Sequence, residues 1–143
     1  MDKKSSKVKI IILVSLLISA GVVLYNTIDV IPPKSLTYGS MHMIKRRILR
    51  YAHLHNQLPK NLKELPKIEG YDNRTTDAWG REILYIVNKD NTVTLISYGK
   101  DGIQGGVGDS ADMIAIFATK NNNIQWEDEL CNWVKDPFRP SSK

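Results

Sequence analysis

The chain has 143 residues, with 20 lysines and arginines against 15 aspartates and glutamates, and a mean hydropathy of −0.28. This length permits one small domain. The single cysteine, Cys131, excludes an internal disulfide framework. A cluster of lysines near the N-terminus accounts for much of the net charge of +5, so the remainder is too nearly balanced to predict a nucleic-acid partner.

The N-terminal region carries a long apolar segment, because no charged residue occurs from Ile10 to Ile28. About 19 residues rising about 1.5 Å each give a helix close to the bilayer hydrocarbon thickness. The sequence therefore predicts a transmembrane anchor over residues 10–28, after a basic cytoplasmic segment, residues 1–9, that follows the positive-inside rule. A cleaved signal peptide is one alternative, although its cleavage site is matched only in part. A buried core helix is the other, but it would need a polar face.

Two prolines separate this segment from an amphipathic helix. Pro32 and Pro33 predict a linker over residues 29–34, and Pro59 ends the helix that follows. Ser35 is a possible N-cap. An apolar stripe at three- and four-residue steps contains Met41, Ile44, Ile48, Tyr51, Ala52 and His55. We expect a solvated basic face on the other side, with an acidic partner or lipid headgroups as the alternative; it contains Lys45, Arg46, Arg47 and Arg50.

Residues 35–143 predict one α+β domain. The β-rich runs at 83–87 and 92–97 flank a four-residue loop and predict a hairpin, and residues 113–118 can join the same sheet. Residues 126–134 predict a short C-terminal helix with Trp126, Leu130 and Trp133 in the core. The expected fold is thus an amphipathic helix packed on a small antiparallel sheet of about three strands.

The segment from Gly99 to Asp112 carries the candidate site, since it contains five glycines and three aspartates. Glycines allow a loop to curl and to direct carbonyl groups inward. Carboxylates and carbonyls that converge are the ligands of a hard cation such as Ca²⁺. The spacing of the aspartates does not match an EF-hand. An ordinary glycine-rich connection, whose aspartates cap turns, remains equally consistent with these residues.

Three stretches in the same order resemble the C-terminal domain of the major, G-type pseudopilin of bacterial type II secretion systems. Residues 50–59 resemble the end of that family's long helix. Residues 76–85 resemble its Asp-Pro-Trp-Gly hairpin entry, with Ala78 in the proline position. Residues 97–114 resemble its calcium loop. The resemblance covers about residues 41 to 114 and implies a pilin-like fold.

The resemblance also implies a bound Ca²⁺ and a set of ligands for it. Asp101 matches the first carboxylate ligand and Asp112 the last, while Tyr98 and Ile103 match the residues that supply backbone carbonyls. Ser110 lies near the position of a further aspartate, for which Asp109 can compensate. The implied partners are the membrane and other pseudopilins or secretion-system proteins, including copies of the same chain. The implied location is the bacterial inner membrane, crossed once, with the C-terminal domain in the periplasm.

The N-terminus departs from this family. It shows neither the prepilin processing motif nor the glutamate inside the apolar helix, and Pro32-Pro33 interrupts the long helix of a pilin. We therefore expect a membrane-anchored structural component of, or derived from, a type II secretion system. A stand-alone anchored protein-binding module that forms no filament is the alternative. An enzyme is not expected, because the three histidines, His42, His53 and His55, form no catalytic or zinc-binding pattern.

Overall fold

The computed structural model describes residues 3–27 and 31–138 and divides the chain into two units, with the boundary between Ile31 and Pro32. The first unit contains helix α1 (Lys3–Thr27). Within the described residues, none of the helices has both the length and the apolar character required to cross a bilayer. The last residue of the predicted anchor, Ile28, lies outside the described residues.

The second unit begins with helix α2 (Pro33–His55). The helix starts two residues before Ser35, which does not cap it; Pro32 takes the cap position and Pro33 the first helical position. Proline suits this first turn because its fixed φ is already helical and its missing amide proton has no partner there. The helix ends at His55, and the C-cap residue Asn56 adopts the left-handed conformation with φ of 53°. The predicted amphipathic helix is confirmed, with an earlier start.

Four antiparallel strands follow in the order in which they occur along the chain. They are β1 (Leu84–Val87), β2 (Thr92–Ser97), β3 (Met113–Ala118) and β4 (Trp133–Lys135). Leu95 in β2 pairs with Tyr85 in β1 and with Ala115 in β3. The predicted hairpin and third strand are therefore confirmed, and β4 is a fourth strand that the sequence did not predict.

The predicted C-terminal helix over residues 126–134 is wrong. Residues 133–135 form β4, in which Trp133 pairs with Phe117 of β3. Before the strand, the Asp128 side chain accepts a hydrogen bond from the amide of Leu130 at 2.7 Å, and the Asp128 carbonyl accepts one from Cys131 at 3.0 Å. Such local bonds compete with a helix. Leu130 is 69% exposed, so it is not the core residue that was predicted.

Helix α2 packs against one face of the sheet. Alternate residues of β2 and β3 point toward the helix, as the period of a half-buried strand requires. The core contains Met41, Ile44, Ile48, Leu49, Leu62, Leu65, Ile83, Val93, Leu95, Met113, Ala115 and Phe117. Met41, Ile44 and Ile48 of the predicted stripe lie in this core, together with Leu49, which the stripe did not include, whereas His55 is exposed.

The predicted solvated basic face of α2 is wrong, because two of its members are buried. Lys45 donates to the carbonyl of Cys131 and lies 4.5 Å from the centre of the Trp133 ring. Arg47 donates to three carbonyls of the segment after the helix, those of Leu65, Pro66 and Asn73. Arg46 and Arg50 lie within 4.0 Å of Glu129. The helix is therefore covered on several sides, and burial lowers the pKa of Lys45.

Candidate functional site

The candidate site is the loop of residues 98–112, which joins β2 to β3. The two strands are paired up to Ser97 and Met113, so the loop leaves and re-enters the sheet at neighbouring positions. Its two ends are also held together by a hydrogen bond of 2.8 Å from the amide of Lys100 to the carbonyl of Asp109. A single 3₁₀ turn, Gly108–Ser110, precedes β3. The loop is thus a compact structure at the end of the sheet where β2 finishes and β3 begins.

Two glycines allow this compact form. Gly99 has φ of +62°, and a side chain there would place its Cβ 2.7 Å from the carbonyl oxygen of Asp109. Gly106 has φ of +83°, and its Cβ would lie 2.6 Å from the carbonyl oxygen of Ser110. Both conditions, a left-handed backbone and a close backbone neighbour, admit only glycine without strain. The segment around Ser110 therefore packs against two separate parts of the loop.

The two principal predicted ligands, Asp101 and Asp112, both bind backbone amides inside the loop. Asp101 accepts a hydrogen bond of 3.1 Å from the amide of Ile103. Both carboxylate oxygens of Asp112 lie 3.0 Å from the amide nitrogen of Gly105. The amides of Ile103 and Gly105 are only two residues apart, so the loop brings the two carboxylates to the same short segment. Each carboxylate keeps further lone pairs for another ligand.

The other predicted ligands contribute in different ways. Within the described residues, no hydrogen bond uses the carbonyl oxygens of Tyr98 or Ile103. Asp109 is exposed, and its carbonyl accepts a hydrogen bond from the amide of Lys100. Ser110 is half-buried and packs its backbone against Gly99 and Gly106. Across residues 3–27 and 31–138, no group of three or more histidine, cysteine, aspartate or glutamate side chains is placed to hold a metal ion.

The sequence reasoning missed Arg81, which holds the first part of the loop. Its guanidinium donates to the carbonyl of Gly99 at 2.9 Å and to that of Lys100 at 2.7 Å. A Cβ on Gly102 would lie 2.5 Å from its Nε, so the guanidinium also packs against the loop backbone. No pattern in the sequence distinguishes this arginine from the others, and the residue is itself exposed. Arg81 supplies a fixed positive charge that occupies two of the loop carbonyls.

Asp77 connects the turn that carries Arg81 to the same loop. Its Oδ1 accepts hydrogen bonds from the amides of Trp79 at 3.0 Å and Arg81 at 2.9 Å, and its Oδ2 accepts one from the Ser97 hydroxyl at 2.7 Å. The Ser97 oxygen in turn accepts a bond of 3.3 Å from the amide of Gly99. Asp77 and Ser97 are both buried. The turn of residues 77–81 therefore positions the start of the loop.

The donor set of the loop suits a hard cation better than a transition metal. Asp101 and Asp112 offer carboxylate oxygens, and Tyr98 and Ile103 offer carbonyl oxygens without a hydrogen-bond donor in the described chain. Oxygen ligands of this kind, completed by water in irregular geometry, are what Ca²⁺ accepts. Thiolate and imidazole, the ligands favoured by zinc and copper, do not occur in residues 98–112. The residues present thus fit calcium, provided that backbone carbonyls are used.

The histidines lie apart from this loop and do not assemble with one another. His42 packs its ring against Trp133, with 5.8 Å between the ring centres. The Nε2 of His53 lies 3.0 Å from the carbonyl of Glu127, and His55 packs on Tyr51. Burial and the nearby charge of Lys45 lower the pKa of His42. These contacts account for each histidine by packing or by hydrogen bonding to the backbone.

A long helix packed on a four-stranded antiparallel sheet is compatible with the pilin-like class of folds. Residues 40–116, which make up more than half of the chain, match the family model described as type II secretion system (T2SS), protein G. The chain belongs to that family, and is a pseudopilin-like component of a type II secretion system. The family is structural rather than enzymatic. Comparisons with curated proteins and with solved structures gave no match.

Proposed function

We propose that this chain is a membrane-anchored, pseudopilin-like structural component whose periplasmic domain is stabilised by Ca²⁺ bound in the loop of residues 98–112. The family membership supports the secretion-system role. The observation that carries the calcium site is the placement of Asp101 and Asp112 on amides two residues apart in a loop with unpaired carbonyls. In this proposal Asp109 and Ser110 lie at the rim of the site and contribute to it directly or through water.

Bound calcium would stabilise this loop by offsetting the negative charge of its aspartates. Three aspartates lie within residues 101–112, and Arg81 and Lys100 are the nearby cations in the loop and its supporting turn. Carboxylates gathered in one loop repel one another, and a divalent cation relieves that repulsion while it fixes the backbone carbonyls. Arg81 already holds the carbonyls of Gly99 and Lys100, which leaves those of Tyr98 and Ile103 for the cation.

The membrane anchor rests on the sequence of residues 10–28, which lack charge and follow a lysine-rich segment. In this proposal residues 1–9 lie in the cytoplasm and the domain after Pro32 lies in the periplasm of a bacterial cell. Alkaline extraction of membranes tests the anchor, since a spanning chain stays in the pellet. Release into the supernatant, or a new N-terminus within residues 8–21, would contradict it.

The calcium site is tested by unfolding of the full chain in mild detergent. A ligand that binds only the folded state adds about 2.7 kcal/mol at a free concentration 100-fold above its Kd, so added Ca²⁺ should raise the unfolding temperature and a chelator should lower it. Asp101→Asn and Asp112→Asn should each remove this response. Asp90→Asn, in the β1–β2 loop, is the matched control and should retain it. An unfolding temperature that changes with neither calcium nor chelator would refute the site.

The alternative function, an anchored binding module that forms no filament, is favoured by one observation. Residues 119–138, which lie beyond the end of the family match at residue 116, pack along α2 and contribute β4. This addition covers helix surface that the matched region alone would leave open. Co-purification of the tagged chain with other pseudopilins would support the secretion component, and its recovery without them would support the module.

A further inference from the structure

Strand β1 forms one edge of the sheet and has free backbone groups. The amide of Asn88 donates to the carbonyl of Thr92, so the hydrogen-bonded positions along β1 are those of Leu84 and Ile86. The amides and carbonyls of Tyr85 and Val87 therefore point away from β2. Within the described residues, none of these four groups has a hydrogen-bond partner. The edge thus offers two donors and two acceptors at the spacing that an added strand would use.

Along its four residues this edge carries no charge, proline or bulge, which are features that commonly prevent strands from pairing. Its side chains are apolar and exposed, with 41% of Leu84, 44% of Ile86 and 49% of Val87 accessible. Edges are normally protected by charges, prolines or bulges. The opposite edge has two such features, a register shift between β3 and β4 and the charged side chain of Lys135. The contrast indicates that β1 is kept open for a partner.

A basic groove lies beside β1. It has a volume of about 220 Å³ and runs between residues 60–63 and residues 82–85. Small-molecule sites usually occupy about 300–1,000 Å³, so the groove suits one or two side chains of a bound segment better than a separate ligand. Lys60 and Lys63 line it, and neither makes an ion pair within the described part of the chain. Glu82 is the one acidic residue among its lining residues.

A second copy of this chain fits the edge poorly. In a two-fold antiparallel pair that uses both free positions, Tyr85 opposes Val87, so the β1–β2 loop of the second copy reaches residues 81–83. The outer side of these residues is already bonded to residues 75–77, and the two segments would collide. Pairing of β1 with the β4 edge of another copy would bring Lys135 toward the lysines of the groove. The occupant is therefore a different segment, with charge opposite to that of the groove.

We infer that β1 binds an extended acidic peptide segment of another protein, which adds to the sheet as a fifth strand. Backbone hydrogen bonds to Tyr85 and Val87 supply the pairing, as in other cases of strand addition. Apolar side chains of the added strand continue the exposed surface of Leu84 and Ile86, and its acidic side chains meet Lys60 and Lys63. This interaction is separate from the calcium loop and does not depend on it.

The test uses the full chain in detergent and a blocked nine-residue peptide that alternates glutamate and valine. Fluorescence anisotropy should show saturable binding of this peptide, with at least 10-fold weaker binding of its lysine–valine counterpart. The double substitution Lys60→Glu, Lys63→Glu should weaken binding of the acidic peptide at least 10-fold. Lys67→Glu, in the same segment but outside the groove, is the matched control and should change affinity less than 2-fold. Equal binding of both peptides would overturn the proposal.

A second readout separates strand addition from simple charge attraction. Bound peptide should slow hydrogen exchange at the amides of Tyr85 and Val87, measured residue by residue by NMR, while Leu84 and Ile86 change little. Val87→Lys places a charge on the edge without removing a core residue, and should abolish this protection. Binding without protection at Tyr85 and Val87 would refute strand addition. Concentration-dependent protection of the same amides without peptide would assign the edge to a second copy instead.

Discussion

Replacing Asp77 by alanine should destabilise the domain by about 3 kcal/mol. The change leaves the buried Ser97 hydroxyl without its acceptor, which costs about 1–3 kcal/mol for a group that water does not reach. The amides of Trp79 and Arg81 also lose their bonds to a charged oxygen, but they lie nearer the surface, so water limits the loss to about 1 kcal/mol together. Asp77→Asn keeps the shape and an acceptor oxygen, and should cost about 1 kcal/mol.

Denaturant unfolding of the full chain in detergent, followed by tryptophan fluorescence, measures these losses. Ser97→Ala provides the partner variant for a double-mutant cycle. Because the two side chains share one hydrogen bond, the double variant should lose about 1–2 kcal/mol less than the sum of the single losses. A loss below about 1 kcal/mol for Asp77→Ala, or strict additivity in the cycle, would show that this contact does not support the turn.

Two further predictions concern the helix and the loop. Burial and the charge of Lys45 hold the pKa of His42 below 6.5, so the unfolded chain binds a proton more readily than the folded chain. The free energy of unfolding should therefore be greatest above about pH 6.5 and should decline as the pH falls through the folded pKa. His42→Gln should flatten that decline in unfolding experiments from pH 7 to 5, and an unchanged slope would contradict it. Gly106→Ala should lower the free energy of unfolding by about 1 kcal/mol more than Gly105→Ala, since both have positive φ but only Gly106 would meet the backbone of Ser110. Equal losses in the two variants would contradict this steric argument.

The sequence predicted those elements in which local pattern and tertiary packing agree. Helix α2, β2 and β3 have clear periodicity, and each buries an apolar face, whereas β1 is a continuous apolar run that leaves three of its four side chains exposed. The C-terminal segment failed because its tryptophans fit a helical period equally well. What decided the structure there was a non-local contact, the pairing of Trp133 with Phe117, which a local pattern does not encode.

The basic residues of α2 show a second limit of local reasoning. The sequence predicted solvated side chains for Lys45 and Arg47, because lysine and arginine are rarely buried. In the structure both donate to backbone carbonyls that other segments bring to them, from Cys131 and from the chain near Pro66. The same applies to Arg81 beside the loop, since its two acceptors lie 18 and 19 positions further along the chain. The sequence identifies the charged donors, but it does not show which backbone carbonyls will accept their hydrogen bonds.

The calcium ligands were predicted from glycine content and from a family resemblance, and they stay a prediction. What the structure adds is the local setting of each one. Asp101 and Asp112 hold neighbouring amides, whereas Asp109 contributes a carbonyl that closes the loop. Sequence spacing alone does not separate these roles, because the difference arises from the left-handed glycines that fold the loop back on itself.

The contact between Lys45 and Cys131 also sets the order in which the domain can be completed. The two residues are 86 positions apart, so the helix is synthesised long before the segment that covers its lysine. Until residues 133–135 arrive, β3 is an open edge and Lys45 has no acceptor, a state that invites proteolysis or wrong pairing. A truncated chain would keep the whole family match and still present both defects. Formation of the final strand therefore removes both defects at once, because it covers the edge of β3 and brings the acceptor of Lys45 into place.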